Sequence, residues 1–470
     1  MDGSDLAFAG IARQAQLIAA GEISSRELTE LYLHRIEDIG DELNAFTIVL
    51  AERALAEADE ADRRRAAGDV DRASLLGVPI AIKDVEDVEG VVTSFGTAAF
   101  DRPAAADGPL VQRLTAAGAV IIAKTTLPEL AICGFTETER WGITRNPWDT
   151  ERSTGGSSGG SGAAVAAGLV GAASASDGAG SIRIPAAFCG LFGLKPQRGR
   201  LPLVPPDHWW DLSVHGCLTR SVLDTAVFLD ATAHGRGEPG APPTPDHPYV
   251  DAAKISPGKL RIAISDKPAR TVLPPIVSEE SLAGLAETEE LLRSLGHQVQ
   301  REDPKFGLAA NNFVPRFLRG HHDDIAKVPH PERLEARTRG FGRLGAAYRP
   351  GFVRRARRLA ERDAERINRV FDRCDVLITP TVGELPIEVG RWQGAGALRT
   401  LLGMSRTYCF TAIWNHTGQP AAAVPAGFTA GGLPRSVTLV GRLNDEPTLL
   451  SLAAQIEAER PWADRRPPIR

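Results

Sequence analysis

Two glycine-rich turns that carry serines, and two lysines that follow apolar runs, are the side chains in this chain whose types and spacing could do chemistry. The first turn, "STGGSSGGSGAAVAAG" (residues 153–168), offers Ser157 and Ser158 ahead of an alanine-rich segment; the second, "SDGAGSIRIP" (residues 176–185), offers Ser181. A serine hydroxyl is a weak nucleophile, so its use calls for a base that takes its proton as it attacks. Lys83 closes "LLGVPIAIK" and Lys124 closes "AGAVIIAK". Burial at the end of such a run favours the neutral amine that can act as that base. The residues alone leave the two lysines nearly even. Gly178 and Gly180 allow the second turn to aim several backbone N–H groups at one point, the arrangement a developing oxyanion needs.

Other readings of the first turn fit less well. A phosphate-binding loop of the form G-x-x-x-x-G-K-[ST] requires a lysine that the segment lacks, and no G-x-G-x-x-G occurs in it. "GGSSG" and "GSSGG" both satisfy the G-x-S-x-G pattern of a nucleophile elbow, but that motif follows a strand, whereas "NPWDTERST" is polar and contains proline. The histidine such an elbow needs could only be His416. A glycine-rich turn capped by hydroxyls explains most such loops in isolation. Cys189, in the apolar "AAFCGLFG", reads as inert packing. Neither H-E-x-x-H nor another spaced histidine cluster is present, and "GHH" at 320–322 stands alone, so no metal and no cofactor is expected.

These side chains need a scaffold, and the sequence predicts an α/β one. "LLGVPIAIKD" and "AGAVIIAK" are short, branched and bounded by glycine, like buried strands. Residues 1–60 read as a helical packing arm, with Ser24 and Glu27 as a capping box and Leu28, Leu31, Tyr32, Ile36 and Ile39 on one stripe. "RGEPGAPPTPDHP" (236–248) reads as a linker or long loop. After it, "KLRIAIS", "SEESLAGLAETEELLRSLG" and "HQVQRED" alternate strand, helix and strand. The arginine-rich tract 333–373 interleaves Glu361, Asp363 and Glu365, with Glu365 four residues before Arg369; it is read as a solvated helix face.

Composition sets the bounds. The chain has 470 residues, a formal net charge of −5 and 24% charged residues, which gives no bulk attraction to nucleic acid or membranes. The N-terminus lacks the basic, apolar and small-residue order of a secretory signal, and no apolar run has the length of a membrane span. Five scattered cysteines without C-x-x-C spacing argue against a disulfide framework. A cytoplasmic protein is the default expectation.

The run "GGSSGGSGAAVAAGLVGAASASDGAGSIRIPAAFCGLFGLKP" closely resembles the signature of the amidase signature family, and "GVPIAIKD" resembles that family's lysine segment. The resemblance continues through "TRNPWD", "GCLTRSVLDTA", "DVLITPT", "NHTGQPAAAVPAGF" and "GLPRSVTLVG", nearly the whole chain. It implies a single domain over 1–470: the arm, a catalytic core over 61–235, a variable insertion over 250–370, and the rest of the core over 371–470. It further implies a mixed, twisted β-sheet sandwiched between helices on both faces. Carried over, the catalytic residues are Lys83 as base, Ser157 as a cis-serine proton bridge and Ser181 as nucleophile. Ser158 is then a loop neighbour. The oxyanion hole falls on the N–H groups of Gly178, Ala179, Gly180 and Ser181, with Ser176 and Ala179 where many relatives have threonine and glycine.

Asp177 and Arg183 are expected to hold the turn's shape. Apolar residues Ile132, Cys133, Phe135, Trp209, Trp210 and Trp414 are candidates to line a substrate pocket. The implied activity is hydrolysis of small aryl or aliphatic amides, anilides, esters or carbamates through an acyl-enzyme, with a small-molecule partner; a homodimer is compatible with it. The alternatives are the amidase subunit of a glutamine-dependent tRNA amidotransferase and a serine hydrolase using a different serine.

Overall fold

The computed structural model describes residues 3–69, 74–238 and 240–469. Its sheet strands are β1 (Phe46–Val49), β2 (Pro79–Lys83), β3 (Val120–Thr125), β4 (Ala172–Asp177), β5 (Gly193–Lys195) and β6 (Val214–Thr219), followed by β7 (Arg261–Ile264), β8 (Gln298–Arg301), β9 (Val376–Pro380), β10 (Ala421–Phe428) and β11 (Pro434–Val440). The larger sheets have the orders β1-β3-β2-β4-β6 and β8-β7-β9-β11-β10-β5. Two two-stranded ribbons pair Glu137–Thr138 with Gly142–Ile143 and Arg145–Asn146 with Asp149–Ser153, so that a polar strand does precede the first glycine-serine turn, contrary to its reading from composition. Reciprocal hydrogen bonds between Phe192 and Thr219, at 3.0 and 3.2 Å, join β6 to the residue before β5 and link the sheets edge to edge.

Both predicted apolar runs become central strands. β2 is parallel to β3 and to β4, while β1 and β6 run antiparallel to their neighbours, so the sheet is mixed. Every residue of β2 and β3 is buried, which is why they read as continuous apolar runs rather than alternating ones. Helices cover the sheets, among them Ala51–Ala66 against β3, Gly159–Ala166 against β4 and Glu279–Ser294 against β9 and β11. Parallel strands require such crossovers.

The N-terminal arm departs from an all-helical reading. The capping box forms, with Ser24 Oγ accepting from Glu27 N at 3.0 Å and Glu27 Oε2 accepting from Ser24 N at 2.7 Å. Leu28, Tyr32, Ile36 and Ile39 are buried and Leu31 is half-buried. Residues 46–49, however, are β1, which completes the outer edge of β3, and the next helix runs past residue 60 to Ala66. A four-residue run is too short for its period to separate strand from helix, and pairing decides it.

The stretch 250–370 supplies β7 and β8 to the sheet, in the strand, helix, strand order read from the sequence. No helix or strand spans the predicted loop 236–248, of which position 239 lies outside the described residues, as do 1–2, 70–73 and 470 of the arm, core and C-terminal segment. In the arginine-rich tract, helix Pro350–Asn368 buries Val353, Ala356, Ala360 and Ile367. Its acidic residues pair differently from the expected Glu365 with Arg369: Asp363 bonds Arg366, and Arg357 reaches Asp211.

Candidate active site

Lys83 and Asp177 are the last residues of β2 and β4, adjacent strands that run the same way. The carboxyl ends of parallel strands are where open α/β sheets hold ligands, because the connections there diverge into a crevice. Ser157 reaches the same place from the loop before helix Gly159–Ala166, the element that feeds β4, and the Gly156–Ser157 peptide is cis. Ser181 follows β4 in the turn that enters helix Arg183–Cys189.

The geometry separates the two lysines that the sequence left even. Lys83 is fully buried, and its Nζ donates to Ser157 Oγ and Ser176 Oγ, both at 2.8 Å. Burial pulls its amine down to about 7, against the opposing fields of Asp177 and Glu86. Hydroxyls tolerate a neutral amine; a carboxylate does not. Lys124 is equally buried but sits 2.7 Å from Asp84 Oδ1 and donates to Thr93 Oγ1 at 2.9 Å, so its amine is engaged by a carboxylate and meets neither Ser157 nor Ser181. A third buried lysine, Lys195, donates to the carbonyls of Pro196 and Gln419 and to no serine.

Asp177 builds the turn that carries Ser181. Its carboxylate accepts from Gly180 N at 2.6 Å, Ile182 N at 3.1 Å, Arg183 Nε at 3.0 Å and Asn415 Nδ2 at 2.9 Å. Burial pushes this acid up, but the Arg183 guanidinium and these donors outweigh it and hold the carboxyl down to about 2. Gly180 has φ +131°, and a Cβ there would meet Thr411 at 2.6 Å, so the position requires glycine.

One of the four expected oxyanion donors is thereby spent: the Gly180 N–H is committed to Asp177. Among the described residues, the N–H groups of Gly178, Ala179 and Ser181 donate to no protein group. Ser158 ties the two turns together, its N donating to Ser181 O and its hydroxyl meeting the Ser176 backbone, each at 3.3 Å.

Ser181 is 8% exposed and lines two cavities. The smaller, of about 210 Å³, is apolar, with Ile132, Cys133, Ile184, Phe313, Met404 and Tyr408 among its walls. The larger, of about 680 Å³, also takes in Ser157, Ser176 and Gly178. Trp209 stands between them and lines both. It is seated by its Nε1 on Asp324 Oδ2 at 2.6 Å, and it lies so close to the oxyanion turn that a Cβ on Gly178 would meet its ring at 2.3 Å.

Three of the six expected pocket residues therefore line a cavity at Ser181, namely Ile132, Cys133 and Trp209. The other three do not. Phe135 is fully buried against Trp392, with Arg337 over its ring. Trp414 is buried in the core beside Phe306. Trp210 turns away toward Asp323, to which its Nε1 donates at 3.1 Å. All five cysteines are buried free thiols, and burial pushes Cys133 up to about 12 and Cys189 higher still.

Sequence reasoning missed Ser176 as a partner of Lys83. The signal was the alternation in "SASD": Ser174 and Ser176 share a face of β4, and Ser174 Oγ accepts the Lys83 N–H at 2.8 Å. Asn415, which donates to Asp177 O and Oδ1 and accepts from Arg183, lies more than 230 residues from both and carries no local signal.

Comparison with known proteins shows the family. The family model described as Amidase matches residues 27–450. A Mycobacterium tuberculosis protein assigned as the amidase AmiB2 is 49% identical over 471 residues, covering 100% of each chain. The solved structure of 6-aminohexanoate cyclic dimer hydrolase complexed with substrate superimposes with a TM-score of 0.90 at 30% identity, covering 98% of this chain and 99% of that one. A bacterial aryl acylamidase of the amidase signature family gives a TM-score of 0.85 at 25% identity, covering 96% of each chain.

Proposed function

The chain belongs to the amidase family and cleaves amide bonds, and from that premise we propose that it does so by acyl transfer through Ser181, with Ser157 and Lys83 carrying the proton. The observation that carries this reading is the contact of a fully buried, carboxylate-free Lys83 amine with Ser157 Oγ at 2.8 Å.

As Ser181 Oγ attacks the amide carbon, its proton passes to Ser157 Oγ, and the Ser157 proton passes to the neutral Lys83 Nζ. The carbonyl oxygen becomes an oxyanion, which the free N–H groups of the 178–181 turn stabilise. Removing one such donor from a hydrolase of this type costs about 3 kcal/mol in transition-state energy. Lys83 then returns the proton through Ser157 to the amide nitrogen, the carbon–nitrogen bond breaks, and the amine leaves. Water then attacks the Ser181 ester, its proton passing through Ser157 to Lys83, and as the acid leaves, Lys83 returns that proton through Ser157 to Ser181 Oγ. An amine that titrates near pH 7 suits both halves of this cycle, since it must accept and return one proton in each half.

The apolar cavity favours a small aryl or aliphatic acyl group. Resemblance to the cyclic dimer hydrolase and the aryl acylamidase supports aliphatic amides and anilides as the first substrates to try. The test is a fluorophosphonate probe with peptide mapping, followed by anilide turnover. Label on Ser181, with loss of both label and turnover in Ser181→Ala, supports the assignment. Label on Ser157 or Ser158 that survives in Ser181→Ala overturns it.

A further inference from the structure

The two cavities that meet at Ser181 differ in lining, and the proton relay fixes which half of a substrate each must hold. The departing amide nitrogen receives its proton from Ser157 Oγ, so the amine half lies on the Ser157 side. Ser157 and Ser176 line the larger cavity and not the smaller. The acyl half is left with the apolar cavity on the Ala179 side.

The larger cavity is rich in carboxylates. Glu86, Asp87, Asp107 and Asp324 line it, together with His208, His215 and a single lysine, Lys327. Asp324 is already engaged by His208 and Trp209, with Lys327 at 3.9 Å. Asp87 accepts from Thr93 Oγ1 at 2.6 Å; Asp107 accepts from Glu89 N at 2.7 Å and has Arg53 at 3.9 Å. Glu86 is only 6% exposed, and its Oε1 meets His215 Nε2 at 2.8 Å. Its Oε2 takes part in no hydrogen bond with the described residues and is left open on the side of the cavity that Glu86 lines. A carboxylate oxygen that is committed to no protein donor and opens on the cavity is available to accept from a cationic group bound there. The apolar cavity offers the reverse: its only charged lining residue among the described ones is the exposed Arg270.

We propose that the amine half of the substrate bears a second, cationic nitrogen received by Glu86 with Asp87 and Asp107, so that the preferred substrates are diamines acylated on one nitrogen by an apolar acid. This inference rests on the proposed Ser181 chemistry and adds to it a direction of binding and a charge. The ammonium would donate to Glu86 Oε2, a charge-assisted bond and hence one of the stronger kinds.

An isomeric pair of amides tests both additions. N-(aminohexyl)hexanamide carries its ammonium at the far end of the amine half, and aminohexanoyl-hexylamine carries it at the far end of the acyl half; N-hexylhexanamide is the neutral reference. The amine-side isomer should show kcat/KM at least about tenfold above the acyl-side isomer and above the reference. In Glu86→Gln the ratio between the isomers should fall by about tenfold, a quantity that cancels any general effect on the relay. If that variant does not fold, inhibition of the wild-type enzyme decides, with diaminohexane binding more tightly than hexylamine. Equal turnover of the isomers, preference for the acyl-side isomer, or a ratio unchanged in Glu86→Gln overturns the inference. If none of the three amides is cleaved while Ser181 still takes the fluorophosphonate and turns over an anilide, the charge and direction fail and the proposed function stands. Absence of both labelling and anilide turnover removes the two together.

Discussion

Replacing Lys83 by methionine should cut turnover by orders of magnitude and stabilise the fold, and one structural fact produces both. The amine is sealed among hydroxyls, with no carboxylate bonded to it, and burial lowers it from 10.5 to about 7. Below pH 7 the folded and unfolded chains both carry the proton, and the penalty of holding it in the folded state is about 5 kcal/mol. Between about 7 and 10.5 the unfolded chain binds more protons than the folded one, so stability rises with pH and the penalty shrinks, to about 2 kcal/mol near pH 9. Methionine removes the penalty and fills a similar volume, while forfeiting two hydrogen bonds of about 1 kcal/mol each. The variant should therefore exceed the wild type by about 3 kcal/mol near pH 6 and match it near pH 9. Its kcat/KM should fall by about 10² to 10⁴. Urea denaturation at the two pH values, with anilide turnover measured alongside, reads both quantities. A variant less stable than wild type near pH 6, or a stability difference that ignores pH, would refute the claim that Lys83 is held close to neutrality and would remove it as the base.

Three further outcomes follow from the same geometry. Wild-type kcat/KM should rise with pH through about 7 as Lys83 gives up its proton, with no acid-side contribution from Asp177, which stays ionised down to about 2; a profile flat between about pH 5.5 and 8.5 would contradict this. Lys124→Ala leaves Asp84 buried without its cation and should cost about 3 to 5 kcal/mol in stability while the folded fraction keeps its kcat, measured by active-site titration; loss of kcat in a fully folded variant would reopen the choice of base. Gly178→Ala places a Cβ 2.3 Å from the Trp209 ring and should cut turnover by at least about tenfold, with part of it recovered in the double variant with Trp209→Ala; a double variant no faster than the single one would show that Gly178 is not there to make room for Trp209.

The sequence by itself determined the elements whose cause is local, and it brought the family within reach. Buried apolar runs gave β2 and β3, and the Ser24 capping box forms as its spacing requires. Ordered motifs along nearly the whole chain matched the family that the comparisons then showed. The residues alone offered Ser157, Ser158 and Ser181 in glycine-rich turns and left Lys83 even with Lys124; the family resemblance singled out Lys83, Ser157 and Ser181.

The residues alone left Lys83 and Lys124 even and the family resemblance favoured Lys83; only the tertiary structure shows what faces their amines, two hydroxyls for one and the Asp84 carboxylate for the other. It also decided the pocket. Trp209, Trp210 and Trp414 are chemically alike, yet one divides the cavities, one turns to Asp323 and one fills the core. Side-chain direction there follows from packing against helices more than 100 residues away, to which no local pattern refers. The Asn415 brace on Asp177 and the open oxygen of Glu86 beside His215 belong to the same class. Each is a property of partners brought together by the fold, and a one-dimensional reading can name the groups without knowing which of them are already satisfied.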